Sequence, residues 1–282
     1  MSRIVLLLLA AAAPAFAAGE GPTPLERDVE ALLAGTPLVA MPRTEGGYLS
    51  AAASGGLLGT SLRLDVWLPA LTGDLEDDAG NSASLSDLNV DGTEVVLVPR
   101  AFVSLGGVGF LVDAWRFQTE GDGTINDTFT FGGVDFVVSE DVHTDVDITN
   151  VRGLLTLPIV STDFVKIALL GGISYYDFNV TVTGATSGSG SVSTPVPVPL
   201  AGVLGQAKLG PLLLEVEVSG LTFDYGDYNI DYLDVQASVG MTVFKILAVR
   251  AGYRLVHIDG TIEGYNVDGT LDGFFIGASL NF

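Results

Sequence analysis

From about Leu58 to the last residue, apolar and non-apolar side chains alternate with a period of two. Leu62, Leu64, Val66 and Leu68 fall on one face of a strand, and Arg63, Asp65 and Trp67 fall on the other. Leu214-Glu215-Val216-Glu217-Val218, Leu233 to Met241 and Leu247 to Leu255 repeat the pattern. No later stretch approaches the eighteen or so consecutive apolar residues a membrane helix needs. Yet 48% of the residues are hydrophobic and only 16% are charged, so a soluble globule is a poor fit. The apolar surplus has to be spread over strands.

Ten such segments are expected: 58–69, 93–105, 108–119, 141–157, 164–178, 196–209, 212–223, 232–243, 245–258 and 269–282. All are long for strands of soluble proteins. The stretches between them alternate long and short. Residues 72–92, 120–140, 184–195, 224–231 and 259–268 are long, whereas Gly106-Gly107, 158–163, Gly210-Pro211 and Phe244 are tight. This predicts an all-β fold: a closed, antiparallel, up-and-down transmembrane β-barrel of about ten strands. Closure follows because lipid cannot satisfy an open strand edge. Apolar residues then face lipid and polar ones the lumen.

The N-terminal part is of another kind. Met1-Ser2-Arg3, an apolar run from Ile4 to Ala13 and Ala15-Phe16-Ala17 read as a secretory signal peptide over 1–17. Residues 18–54 are expected to be a periplasmic segment. It holds one short helix from Pro24 to Ala34, started by Thr23, Pro24 and Glu26 and stopped by Gly35. The barrel is assigned to 55–282. There is no cysteine, hence no disulfide and no lipidated cysteine, and a net charge of −22 argues against nucleic acid as a partner.

The ending Gly273 to Phe282, "GFFIGASLNF", places Phe274, Ile276, Ala278, Leu280 and Phe282 on one face. It resembles the C-terminal signal strand of Gram-negative outer-membrane β-barrel proteins. The resemblance implies insertion into the outer membrane, contact with outer-membrane lipid, and recognition of those five residues by the barrel-assembly machinery. The run Trp115-Arg116-Phe117-Gln118-Thr119-Glu120-Gly121-Asp122 resembles a strand end in a family of small, largely uncharacterised outer-membrane barrels. That likeness implies a fold and a location and no activity. Tyr175, Tyr176, Phe223, Tyr225, Tyr228, Tyr232, Tyr253 and Phe282 are expected in the interfacial girdles.

On the lumen face the alternation collects Arg63, Asp65, Arg100, Asp113, Asp145, Asp147, Glu215, Glu217, Asp234, Arg250 and Arg254. Four arginines against seven carboxylates leave an acidic excess, so a continuous channel would favour cations. The first functional reading is therefore a small pore or passive channel. The alternative is a closed structural or surface-interaction barrel in which those charges interlock as a plug and the acidic loops face the environment. A hydrolase at the rim ranks third. His143, Asp145 and Asp147 share one face, but His257 and Asp259 share a face with Leu247, Val249 and Leu255 near the rim, so the two groups do not converge. No catalytic residue, cofactor or dedicated metal site is assigned. The acidic loops, with Asp74, Glu76, Asp77, Asp78, Asp87 and Asp91 in one and Asp122, Asp127, Asp135, Glu140 and Asp141 in the next, could hold divalent cations but lack a fixed ligand spacing.

Overall fold

The computed structural model describes residues 58–281 except 77–79, 106, 226–227, 245 and 263–264. The signal peptide, the Pro24 to Ala34 helix and Phe282 lie outside the described residues. The strands are β1 Leu58–Glu76, β2 Ser82–Ser84, β3 Val96–Leu105, β4 Val108–Thr124, β5 Phe129–Phe131, β6 Val134–Phe136, β7 Asp141–Ser161, β8 Val165–Gly184, β9 Gly188–Leu209, β10 Leu212–Tyr225, β11 Tyr228–Thr242, β12 Leu247–Ile262 and β13 Tyr265–Asn281. Ten of them form the wall, in the order β1, β3, β4, β7, β8, β9, β10, β11, β12, β13. β13 returns to β1 with Leu62 opposite Leu280, which closes the barrel. β5 and β6 form a small separate hairpin.

The strands are longer than a bilayer requires. About nine to eleven tilted residues cross the hydrocarbon, yet β7 spans 21 residues, β8 20 and β9 22. Their lower halves carry the apolar belt, with exposed Val151, Leu155, Leu157 and Ile159 on β7 and Leu169, Ile173 and Tyr175 on β8. On β1 and β13 the belt continues through Leu62, Leu64, Leu68, Phe274 and Ile276. The upper halves rise roughly 25 Å beyond the belt, from ten residues of tilted strand. Three connections expected to be long loops, after β8, β10 and β12, are instead strand that continues to within two or three residues of the next strand. Glycine and serine at 188–193 suggest a loop by composition, but every residue from Val165 to Gly184 has a partner between Gly188 and Ala207.

At the top of the belt the long strands reverse their polarity. In β7, inward Val142, Val146 and Ile148 are buried while His143, Asp145, Asp147 and Thr149 lie on the outer face; below, Val151, Leu155 and Leu157 face out and Arg152 faces in. β1 does the same, with Arg63 and Asp65 inside the belt and Leu71 and Leu75 inside the part above. β12 and β13 follow, with Val256, Ile258 and Leu271 buried inward above Arg250 and Arg254. Below the reversal the solvent outside is hydrocarbon; above it the solvent is water. The same wall therefore needs opposite patterns at the two heights.

The two real excursions fold into the outer mouth. The β1–β3 connection buries Ala83, Leu85, Leu88 and Val90, and the β4–β7 connection buries Ile125, Phe129, Phe131 and Phe136. Glycines on the inner wall make room for them. A Cβ at Gly121 would sit 2.2 Å from the Asn89 carbonyl oxygen, and one at Gly190 would sit 2.1 Å from that of Phe131. Glu140 ties the second excursion to the β8–β9 turn, accepting hydrogen bonds from the Thr186 and Ser187 amides, both at 2.7 Å, and from their hydroxyls at 2.8 and 2.6 Å.

One junction in the wall is incomplete. β10 pairs with β9 only from Leu212↔Leu209 to Gly220↔Ala201, although both strands continue upward beside their other neighbours. β9 carries Pro195, Pro197 and Pro199 there. The β8–β9 ladder runs unbroken past them, so their nitrogens, which have no proton, point towards β10. Continued upward, the register would set Pro199 against Thr222, and Pro199 has no N–H to donate to that pair.

Candidate functional site

Inside the belt, β1, β3, β4, β7, β10, β11 and β12 each send charged residues inward at alternate positions. Arg63, Asp65, Arg100, Asp113, Glu215, Glu217, Asp234 and Arg254 are buried, and Arg250 is nearly so. Asp145 and Asp147 do not join them. They stand on the outer face of β7 above the belt, where Arg116 donates to Asp147 through Nε at 2.9 Å. Arg152, absent from the sequence reading, takes the central position instead. It donates to Asp113 at 2.8 Å, lies 2.7 Å from Glu217 and 2.9 Å from Asp234, and is about 1% exposed.

The interior charges form two linked groups. In the first, Arg63 and Arg250 both reach Glu215 Oε1 at 2.9 Å, Arg250 grips Asp65 through two bonds of 3.0 and 2.7 Å, and Gln206 donates to Glu215 at 2.7 Å. In the second, Arg100 holds Glu217 at 2.9 Å and Asp113 at 3.2 Å, while Arg152 and Arg254 share Asp234. Five arginines thus meet five carboxylates. The expected acidic excess is absent from this layer, because two of the assumed carboxylates face out and an unassigned arginine faces in. Buried ions tolerate such a site only when paired, and here each meets at least one opposite charge, although Asp113 Oδ1 has no hydrogen-bond partner among the described residues.

An aromatic layer lies against this network. Trp67, Trp115, Tyr176 and Tyr232 pack at ring separations of 5.7 to 5.8 Å, and the Tyr176 and Tyr232 hydroxyls hydrogen-bond at 2.8 Å. The Arg254 guanidinium sits 5.2 Å from the Trp67 ring and that of Arg250 4.5 Å from Phe275. Tyr176 and Tyr232 were expected in the interfacial girdle; they are buried inside, where a paired hydroxyl makes a tyrosine acceptable. Tyr175 and Tyr253 remain outside at the top of the belt. A cavity of about 20 Å³, lined in part by Ser61, Arg63, Glu215, Ser238 and Arg250, has room for about one water.

The outer wall above the belt carries the second polar group. His143 Nδ1 lies 2.8 Å from Asp122 Oδ1, and its Nε2 lies 3.7 Å from Asp145 Oδ1. The hydrogen bond donated to Asp122, reinforced by the nearby carboxylates, raises the pKa of the imidazole. Thr181 pairs with Ser191 and Thr183 with Ser189, each at 3.1 Å, on the same face. His257, on β12, meets Thr270 at 2.9 Å. In the strand order β12 lies five places from β7 in either direction, so the two histidines stand on opposite sides of the barrel.

The belt, the closed meander and the polar interior define the class: this is an all-β, ten-stranded transmembrane barrel of the outer-membrane type, set in the lipid of a Gram-negative outer membrane. No family model and no curated protein matches the sequence. Among solved structures, the chain is similar to the outer membrane protease OmpT of Escherichia coli at 10% identity and a TM-score of 0.53, over 79% of this chain and 97% of that one. Ail, the attachment invasion locus protein of Yersinia pestis, matches at 11% identity and a TM-score of 0.34, over 79% and 99%. Neisserial surface protein A matches at 13% and 0.30, over 79% and 97%. At such identity the likeness to OmpT speaks to the fold alone.

Proposed function

We propose that this barrel works closed, as a structural or surface-interaction protein that holds a polar wall and two folded excursions above the outer membrane, and not as the small cation-biased pore. The observation that carries the reading is the stacked interior. Along the axis lie the paired charges, then the aromatic layer, then the excursion residues Leu88, Val90, Phe129 and Phe136, these last each 1% exposed or less. An interior that is neutral and interlocked offers an ion neither a path nor a net attraction.

Planar-bilayer recording of the refolded protein tests this. Wild type should give no unitary current above background, and reproducible cation-selective steps would restore the pore. A rim hydrolase has less support, since His143 and His257 are separated by the width of the barrel and neither faces the interior. The last strand fits a role in assembly: Phe274 and Ile276, 71% and 64% exposed, offer lipid and the barrel-assembly machinery an uninterrupted apolar face.

A further inference from the structure

We propose that Glu120, His143 and Asp145 form a surface site for a divalent transition-metal ion of the zinc class, with Asp122 as the carboxylate that orients the histidine. The site would lie on the outer wall above the membrane, and it stands whether or not the lumen conducts. The β4–β7 register sets Glu120 directly opposite Asp145 and Asp122 directly opposite His143. All four side chains are on the outward face, held by two fully paired strands rather than by a loop. The potential donor atoms of Glu120, His143 and Asp145 lie within 4.8 Å of one another.

The histidine is in the geometry a metal ligand needs. Asp122 Oδ1 accepts from Nδ1 at 2.8 Å, which fixes the ring and leaves Nε2 as the nitrogen that offers a lone pair when the imidazole is neutral. A carboxylate on the far nitrogen is the usual partner of a metal-bound imidazole. Nε2 faces Asp145 Oδ1 at 3.7 Å, too far for a hydrogen bond. It is close to the roughly 3.4 Å edge that separates two ligands about 2.1 Å from a tetrahedral ion. The charge balance also calls for a cation. Three carboxylates surround one imidazole, and Arg116 on the same face is engaged by Asp147, which also accepts from Gln118 at 3.3 Å. One nitrogen and two carboxylate oxygens select zinc-like ions over calcium or magnesium, which prefer oxygen alone. The His143 and Asp145 side chains are 43% and 55% exposed, so the remaining coordination positions are accessible to water.

The test is a titration of the tag-free, refolded barrel in detergent with Zn²⁺ by calorimetry and with Co²⁺ by visible absorbance, each variant first checked for heat-modifiable gel migration. Wild type should take up about one equivalent of either ion. His143→Ala should abolish that step, and Asp122→Asn should keep the stoichiometry while weakening binding about 10- to 100-fold, the range for outer-shell partners. His257→Ala and Asp147→Asn should bind as wild type does. Equal uptake by His143→Ala, or a wild-type titration with no saturable step, overturns the site and leaves an imidazolium held between carboxylates.

Discussion

Arg152 is the residue on which the interior turns, since its guanidinium serves Asp113, Glu217 and Asp234 together. Arg152→Ala should cost about 3–5 kcal/mol of unfolding free energy, because it strands several buried carboxylates rather than deleting one contact. Urea unfolding of the refolded barrel in detergent measures this, and an unchanged midpoint would sink the central role. Arg152 escaped the sequence reading for a definite reason. It is an even-numbered residue, Asp145 and Asp147 are odd, and all three share β7. A single lumen face for the whole strand can include the two aspartates or the arginine, but not both. Glu140 gives the pH dependence. Its four hydrogen bonds from Thr186 and Ser187, with that from the Ser187 hydroxyl foremost, lower its pKa from 4.5 to about 2. The folded value lies below the unfolded one, so this stabilisation is complete above about pH 4.5 and fades as the pH falls towards 2. Amide exchange at Thr186 and Ser187 should therefore differ between wild type and Glu140→Gln near pH 6 and converge near pH 2, after correction for intrinsic rates.

At the scale of strands, the wall was largely legible. Ten segments, their antiparallel order and the tight turns at one end follow from period-two alternation and from Gly107 and Gly210, which adopt φ of 90° and 61°. The upper halves were less so, because reading a single polarity along each strand assumes one solvent outside. Residues 188–195 illustrate the cost: their glycines and serines are weak strand formers, yet β8 holds them by backbone pairing. The β9–β10 junction was not foreseen at all, although its cause, prolines at every second position, was visible. The unpaired side makes a prediction. The Thr222 amide, which would face Pro199, should exchange much faster than the Gly220 amide within the β9–β10 ladder. Pro199→Ala, which restores a donor, should slow it; comparable protection in wild type would mean that the strands close further than their register indicates.

For the whole molecule, the proposed closed state would rest on two separate barriers, the packed interior and the excursions in the mouth. Displacing the first excursion with Gly121→Val, which puts side-chain atoms where the Asn89 carbonyl lies, should leave planar-bilayer current absent if the aromatic layer beneath acts as the second barrier. The reversal of polarity along the strands has a consequence of another sort. It gives the barrel a waterline. On β13 the outer face passes from Asp268, Thr270 and Asp272 to Phe274 and Ile276 within one step of two residues, and β7 makes the same change between Thr149 and Val151. A barrel marked this sharply cannot ride higher or lower to suit its membrane: sinking by one step would drown aspartates in hydrocarbon, and rising would strand phenylalanine in water. When such a body meets a bilayer of the wrong thickness, the lipid has to bend to the protein.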